Sequence, residues 1–159
     1  MEIKEFILPY QQKVIDLILS IQVGEFSVPI TADDQPDLKA IPDVYQKGNG
    51  NFWVAVEEGN VVGTIALIDI GNSEVALRKM FVDVNWRGKE KGVAQQLLNT
   101  VFNWGKEKGI QHIYLGTIER LYAARRFYIK NGFEEVPKSS LPVSFPLMAV
   151  DDYFYKFSF

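Results

Sequence analysis

Apolar residues recur along this chain with two periods, and the change from one to the other marks out its elements. Glu2–Phe6 alternates as a short strand does, and Val14, Leu17, Ile18 and Ile21 then repeat at helical spacing, which predicts an amphipathic helix over 9–23. Gly24–Thr31 breaks the pattern with Pro29, and 32–46 reads as a weaker helix interrupted by Pro36 and Pro42. Residues 51–56 and 61–70 read as strands joined by Glu57-Glu58-Gly59-Asn60, a hairpin signal, and Gly71-Asn72-Ser73 turns into a long strand over 74–84. Val93, Leu97, Leu98, Val101 and Phe102 line one face of a helix that stops at Lys108-Gly109, where glycine suits a left-handed cap. A strand at 111–116, a helix at 119–131 capped by Asn131-Gly132, and a strand at 133–136 follow. A loop from Pro137 to Pro146 then leads to a final strand, 153–159. The order implies an α/β fold, a mixed and mostly antiparallel central sheet flanked by helices. Without linker or internal repeat, 1–159 reads as a single domain.

Composition narrows the function more than the fold. The hydrophobic fraction of 47% and charged fraction of 23% are those of an ordinary globular protein. No apolar run reaches membrane-spanning length and the first residues lack a signal-peptide pattern, so the expectation is a cytoplasmic protein with no membrane role. With no cysteine and a single histidine, His112, the chain offers no thiolate nucleophile, no disulfide and no Ser-His-Asp triad, and a metal site is not expected. A net charge of −3 argues against nucleic acid as a partner. Its distribution is uneven: residues 1–74 hold 4 Lys and Arg against 12 Asp and Glu, whereas 75–159 hold 13 against 8. That asymmetry suits a basic half holding an anionic cofactor and an acidic half facing a cationic amine.

The candidate chemistry concentrates in Met80–Ala94. An apolar strand end, Met80-Phe81-Val82, runs through a loop rich in Gly and basic residues into the first turn of a helix, aiming backbone N–H groups and a helix N-terminus at one point, as a diphosphate requires. The loop has neither the Gly-Lys-Ser/Thr of a P-loop nor the three glycines of a dinucleotide fingerprint. Lys89-Glu90-Lys91-Gly92-Val93-Ala94 resembles the acyl-CoA loop of the GNAT superfamily of N-acetyltransferases, Gln/Arg-x-x-Gly-x-Gly/Ala, with Lys89 at the place of Gln or Arg and Arg87-Gly88 similar to the family's upstream Arg-Gly pair. Tyr114-Leu115-Gly116-Thr117 and Ala124 through Tyr128 to Gly132-Phe133 resemble the family's following strand, helix and Gly-Phe ending, with Leu121 where Asn is frequent. The two motifs occur in order, and the resemblance covers residues 3–159.

What the resemblance implies is an acyl-CoA-dependent N-acyltransferase, taking acetyl from acetyl-CoA to a primary amine by direct attack. The strands at 74–84 and 111–116 would splay to admit the pantetheine arm. Arg87, Gly88, Lys89, Glu90, Lys91, Gly92, Val93 and Ala94 would hold the diphosphate, and Met80, Phe81 and Val82 would offer unpaired backbone groups, with the N–H of Met80 or Phe81 as oxyanion donor. Ala124 and Phe127 would face the cofactor, and Arg120 or Arg125 would reach its phosphates. Tyr128 is the candidate acid for the leaving thiolate, a phenol being protonated at neutral pH. A carboxylate must take the ammonium proton. Glu74 is the nearest candidate and Glu25 and Glu119 are alternatives, since the family's usual base positions fall on Ala76 and Gly116. Glu25, Asp33, Asp34, Asp37 and Asp43 would line the acceptor side for a small-molecule or peptide amine. Two other readings stay open: a catalytically inactive CoA-binding or interaction module, and a nucleotide-binding protein using the same loop. The aromatic ending, Tyr153 to Phe159, reads as an inner or edge strand, and its exposed side would serve a homodimer.

Overall fold

In the computed structural model, which describes residues 1–159, seven strands form one sheet in the order β1-β2-β3-β4-β5-β7-β6. The strands are β1 (Glu2–Glu5), β2 (Asn51–Glu57), β3 (Asn60–Gly71), β4 (Glu74–Val82), β5 (His112–Thr117), β6 (Glu134–Val136) and β7 (Tyr153–Ser158). Every neighbouring pair is antiparallel except β4 and β5, which run parallel. The helices are α1 (Gln11–Leu19), α2 (Ile41–Val44), α3 (Val93–Lys108) and α4 (Tyr122–Lys130). This is the expected mixed α/β architecture.

The sheet separates two apolar cores. On one face Trp53, Ile65, Leu67, Leu77 and Leu115 pack against Val93, Leu97, Leu98 and Val101 of α3 and Tyr128 of α4. On the other, Phe52, Val54 and Ala66 meet Val14, Ile15 and Ile18 of α1, with Leu38, Ile41 and Tyr45 behind them. A smaller cluster of Ala76, Tyr114, Phe145 and Phe154 lies under the Pro-rich loop. Burying a side chain such as Leu97 stabilises by about 1.5–3 kcal/mol, so the buried stripe of α3 fixes where that helix begins relative to the sheet.

Two expectations change in detail. The second helix shrinks to a turn at Pro36–Lys39 and one turn of α2, because each proline tolerates only the start of a helix. The first helix runs on past Leu19 as a wider π-type turn, Ser20–Glu25. β7 pairs with β5 along its length and with β6 over Phe154–Lys156, so the aromatic ending is an inner strand, one of the two expected placements.

Candidate functional site

The parallel pairing of β4 and β5 lasts three rungs, Glu74 with His112, Val75 with Ile113 and Ala76 with Tyr114. Past them β4 continues to Val82 and β5 to Thr117 without meeting, so the sheet opens into a wedge. On the β3 side, Thr64 faces Phe81 and Ala66 faces Arg78, which leaves Lys79 and Met80 opposite Ile65 alone. That extra residue is a β-bulge. Lys79 takes φ +54°, a left-handed conformation costly for a side chain, and its carbonyl accepts from the Thr64 hydroxyl at 2.7 Å. The bulge redirects the Met80–Phe81 backbone at the open end of the wedge, where the expected oxyanion donors lie.

Beyond β4, a turn at Val84–Trp86 and a loop lead to the N-terminus of α3. Gly88 has φ +105° and Gly92 φ +66°, conformations that favour glycine. Gly92 donates its N–H to Gly88 at 3.1 Å and accepts from Gln96 at 3.0 Å. No side chain caps α3, leaving the N–H groups of Val93, Ala94 and Gln95 without a protein acceptor. An oxyanion satisfies such a cluster and the positive end of the helix dipole together. Lys89, Glu90 and Lys91 are exposed around it, with Lys91 set 4.9 Å above the Trp86 ring.

Arg87 departs from its expected role. Its guanidinium grips Glu25 through two bonds of 2.5 and 2.7 Å and donates to the Val82 carbonyl at 2.9 Å, tying the loop to the end of the first helix. The same bonds hold the Glu25 carboxyl below its ordinary range and take it out of contention as a base. Arg125 likewise binds the Tyr155 hydroxyl and the Glu119 carbonyl and lies 3.8 Å over the Tyr153 ring, turned toward the sheet.

Tyr128 lies beside Met80 of β4. It is 6% exposed, and its hydroxyl reaches across to the Met80 thioether at 3.5 Å, its only hydrogen-bond partner. Burial pushes the phenol's pKa up, so it stays protonated through and above neutrality. Ala124 and Phe127 pack partly buried against the same core. Glu74 is placed elsewhere. It sits on the first paired rung opposite His112, six residues before Met80, roughly 20 Å along a strand. The structure does not join it to the reacting end.

The acceptor side also differs from expectation, because most of its carboxylates already have partners within the chain; Asp43 is exposed and has none. Asp34 accepts from the Thr31 amide and hydroxyl, Lys39 pairs with Asp33 at 3.5 Å, and Asp37 receives the Tyr45 hydroxyl at 2.6 Å and Lys79 Nζ at 3.6 Å. Lys79 Nζ also donates to Gln35 at 2.5 Å, and Gln35 bonds in turn to Gln22. Desolvation lowers the Lys79 pKa while Asp37 opposes the fall. Periodicity gives no sign of this buried group, since its members lie on four separate segments. Arg78, one residue before the bulge, is among the cations left without a salt bridge. It has no carboxylate within 4 Å, and its only side-chain contact of hydrogen-bond type is the Met148 thioether at 3.6 Å. A pocket of about 620 Å³ opens nearby between Val28 and Pro29, Glu119 and Arg120, and Val150 and Asp152. Groups of three or more His, Cys, Asp or Glu able to hold a metal ion do not occur, and no helix is long and apolar enough to cross a membrane.

Comparison with known proteins agrees with this geometry. The family model described as "Acetyltransferase (GNAT) domain" matches residues 48–135, from the approach to β2 through β6. A GNAT-family acetyltransferase from Staphylococcus aureus Mu50 superposes with TM-score 0.94 at 43% identity, covering 99% of this chain and 98% of that one. An acetyltransferase from Streptococcus agalactiae superposes equally well, TM-score 0.94 at 29% identity, over 99% and 98% of the two chains. N-acetylaspartate synthetase of Xenopus tropicalis is 41% identical over 104 residues, 63% of this chain; the chain spans only 37% of that relative's length.

Proposed function

The chain belongs to the GNAT acetyltransferases, and from that premise we propose that it moves an acetyl group from acetyl-CoA to the amine of a small acceptor that also carries a carboxylate. The observation that carries the reading is the wedge itself. One opening joins an uncapped helix N-terminus, unpaired β4 backbone and a protonated phenol, and each answers a different part of a thioester-bearing nucleotide.

The donor supplies an activated carbonyl and a thiolate leaving group; the chain's residues supply the rest. The amides of Val93, Ala94 and Gln95 receive the diphosphate, with Lys89 and Lys91 adding charge from the loop rim. The exposed edge of β4 takes the amides of the donor's arm as a further strand would. The N–H of Met80 or Phe81, turned by the bulge, serves the carbonyl oxygen as negative charge grows on it. Tyr128 donates its proton to the departing sulfur.

Glu25, Asp34 and Asp37 are already engaged by Arg87, by Thr31, and by Tyr45 with Lys79, which leaves fewer carboxylates for a cationic acceptor. Arg78, one residue before the bulge and in no salt bridge, fits a carboxylate instead. The name of the relative N-acetylaspartate synthetase supports the same class, an amino acid as acceptor. The test is thiol release from acetyl-CoA over a panel of amines containing L-aspartate, other L-amino acids and spermidine, with binding followed by calorimetry. Turnover fastest with amino acids supports the proposal. No acetyl-CoA binding refutes it, and binding without turnover across the panel leaves the inactive-module reading in its place.

A further inference from the structure

We propose that Asp151 takes the proton from the acceptor's ammonium, and that its carboxylate fills the place a side chain at Gly116 would occupy. This rests on the acetyl-transfer reading above. A Cβ built on Gly116 would overlap Asp151 Oδ2 and approach its Cγ to 3.0 Å, so the carboxylate lies directly against β5. Gly116 is two residues past the last rung, Ala76 with Tyr114. Extending that register sets it level with Arg78, beside the bulge. The loop holds the carboxylate there from both sides. Asp151 N–H donates to the Met148 carbonyl at 3.1 Å and Asp152 N–H to the Thr117 carbonyl at 2.9 Å, the latter stapling the loop to the end of β5.

Asp151 is also chemically free. Its side chain forms no salt bridge and accepts no hydrogen bond, whereas Glu25 is held by Arg87, Asp37 by Tyr45 and Lys79, and Asp152 accepts from the Glu119 amide at 3.4 Å. Burial raises its pKa to about 6, with Asp152 on its own loop adding to the rise and Arg78 on β4 opposing it. Glu119 and Arg120 follow β5 at the mouth of the adjoining pocket, and Tyr114 shares its face of that strand. A carboxylate so placed is ionised at neutral pH yet a better base than an exposed aspartate. Arg78 at the same level gives the site opposite charges for the two ends of an amino acid.

The step balances without another reagent. The ammonium gives one proton to Asp151 and keeps the electron pair, which forms the bond to the acetyl carbon. The carbon–sulfur bond breaks, Tyr128 protonates the sulfur, and the nitrogen's second proton passes to solvent, from which Tyr128 is reprotonated. Amide, thiol and one net proton result.

The test combines kcat/KM against pH, using acetyl-CoA and the fastest amine of the panel, with a carbon-13 titration of the aspartate carboxyls. Wild type is expected to show an acid limb near the Asp151 value of about 6 and a carboxyl resonance titrating with it. Asp151→Asn should lose about 10²–10⁴-fold in kcat, lose the acid limb and keep acetyl-CoA affinity within twofold. Gly116→Ala, with Asp151 intact but displaced, should also lose turnover. Asp151→Asn turnover within threefold of wild type, an unchanged acid limb, or an Asp151 carboxyl titrating at about 4 overturns the proposal. Should Asp151→Asn fail to fold, the wild-type carboxyl titration and Gly116→Ala decide the matter by the same criteria. Thiol release that is indifferent to Asp151 defeats this inference alone; absence of release from every amine defeats the acetyl-transfer reading.

Discussion

Changing Tyr128 to Phe separates catalysis from folding more sharply than any other substitution at the wedge. The hydroxyl bonds only to the Met80 thioether at 3.5 Å, and sulfur is a weak acceptor. The ring's neighbours, Phe127, Phe133 and Tyr155, at centroid distances of 6.0, 5.6 and 6.4 Å, are untouched by the change. Stability should therefore move by less than about 1 kcal/mol. The cost to turnover comes from the proton. A thiol near pKa 8.5 leaves tolerably well unaided, which puts the loss at the low end of the range for general acids, about 10²-fold, or roughly 2.7 kcal/mol of barrier. Thiol release at saturating acetyl-CoA and acceptor measures kcat, and calorimetry with acetyl-CoA measures affinity, which should stay within twofold. Burial also fixes the sign of a pH effect. The folded phenol holds its proton above the unfolded pKa of about 10, so this contribution to stability is complete below that pH and declines above it; the Phe variant should melt with less pH dependence there. A kcat within twofold of wild type, or acetyl-CoA affinity falling in step with kcat, would refute the acid role.

Gly92→Ala forces a side chain into φ +66° and should cost about 1–2 kcal/mol by thermal melt, with acetyl-CoA affinity falling as the loop re-forms around the strained residue. Lys89→Ala should weaken acetyl-CoA and flatten its salt dependence in calorimetry, whereas Arg87→Ala, its charge already spent on Glu25, should change affinity less than threefold; a larger effect at Arg87 contradicts the geometry. Asp37→Asn leaves Lys79 buried without its charge partner and should destabilise by about 3 kcal/mol. Because the folded Lys79 pKa lies below its unfolded value, the unfolded chain binds the extra proton, so melts of this variant should recover as pH rises from neutrality toward about 10.

Elements with strong periodicity were legible: α3 is the long helix that Val93, Leu97, Leu98 and Val101 imply, and the β2–β3 hairpin falls where Glu57–Asn60 places it. The loop into α3 was legible for the same reason, since a strand end, two glycines and an amphipathic helix force its shape. What could not be read depended on partners distant in sequence. Arg87 looked like a phosphate ligand until the first helix delivered Glu25 to it, 62 residues away. Glu74 looked close to the chemistry because the strand's paired and open ends are indistinguishable in sequence. The bulge at Lys79 was hidden because lysine is a poor residue for positive φ; its burial against Asp37 and Gln35 holds it there. Asp151 carried one faint signal, a glycine inside a strand at Gly116, which marks the close approach of something else.

In the proposed reaction, strand β4 would couple the two substrates, because each of its anomalies bears on both sides. Before Ala76 it is an ordinary rung-forming strand; after it, the partner is gone and the bulge adds a residue. With strict alternation, residues 78 and 79 would face opposite sides of the sheet. Arg78 contacts Met148 while Lys79 turns to Asp37, so both lie on one face, and Met80 and Val82 pack with the α3 and α4 core across the sheet. The bulge thereby places two cations on the face opposite the α3 core without removing Met80 from Tyr128. Lys79 pairs with Asp37 and anchors the strained backbone; in the proposed reaction Arg78 would select. Straightening the bulge by deleting Lys79 would restore alternation, carry the anchor away from Asp37 and shift Met80 relative to Tyr128. Acceptor selectivity and acid catalysis should therefore fail together in that deletion, whereas the amide cradle at α3, held by Val93 and Leu97, should still bind CoA.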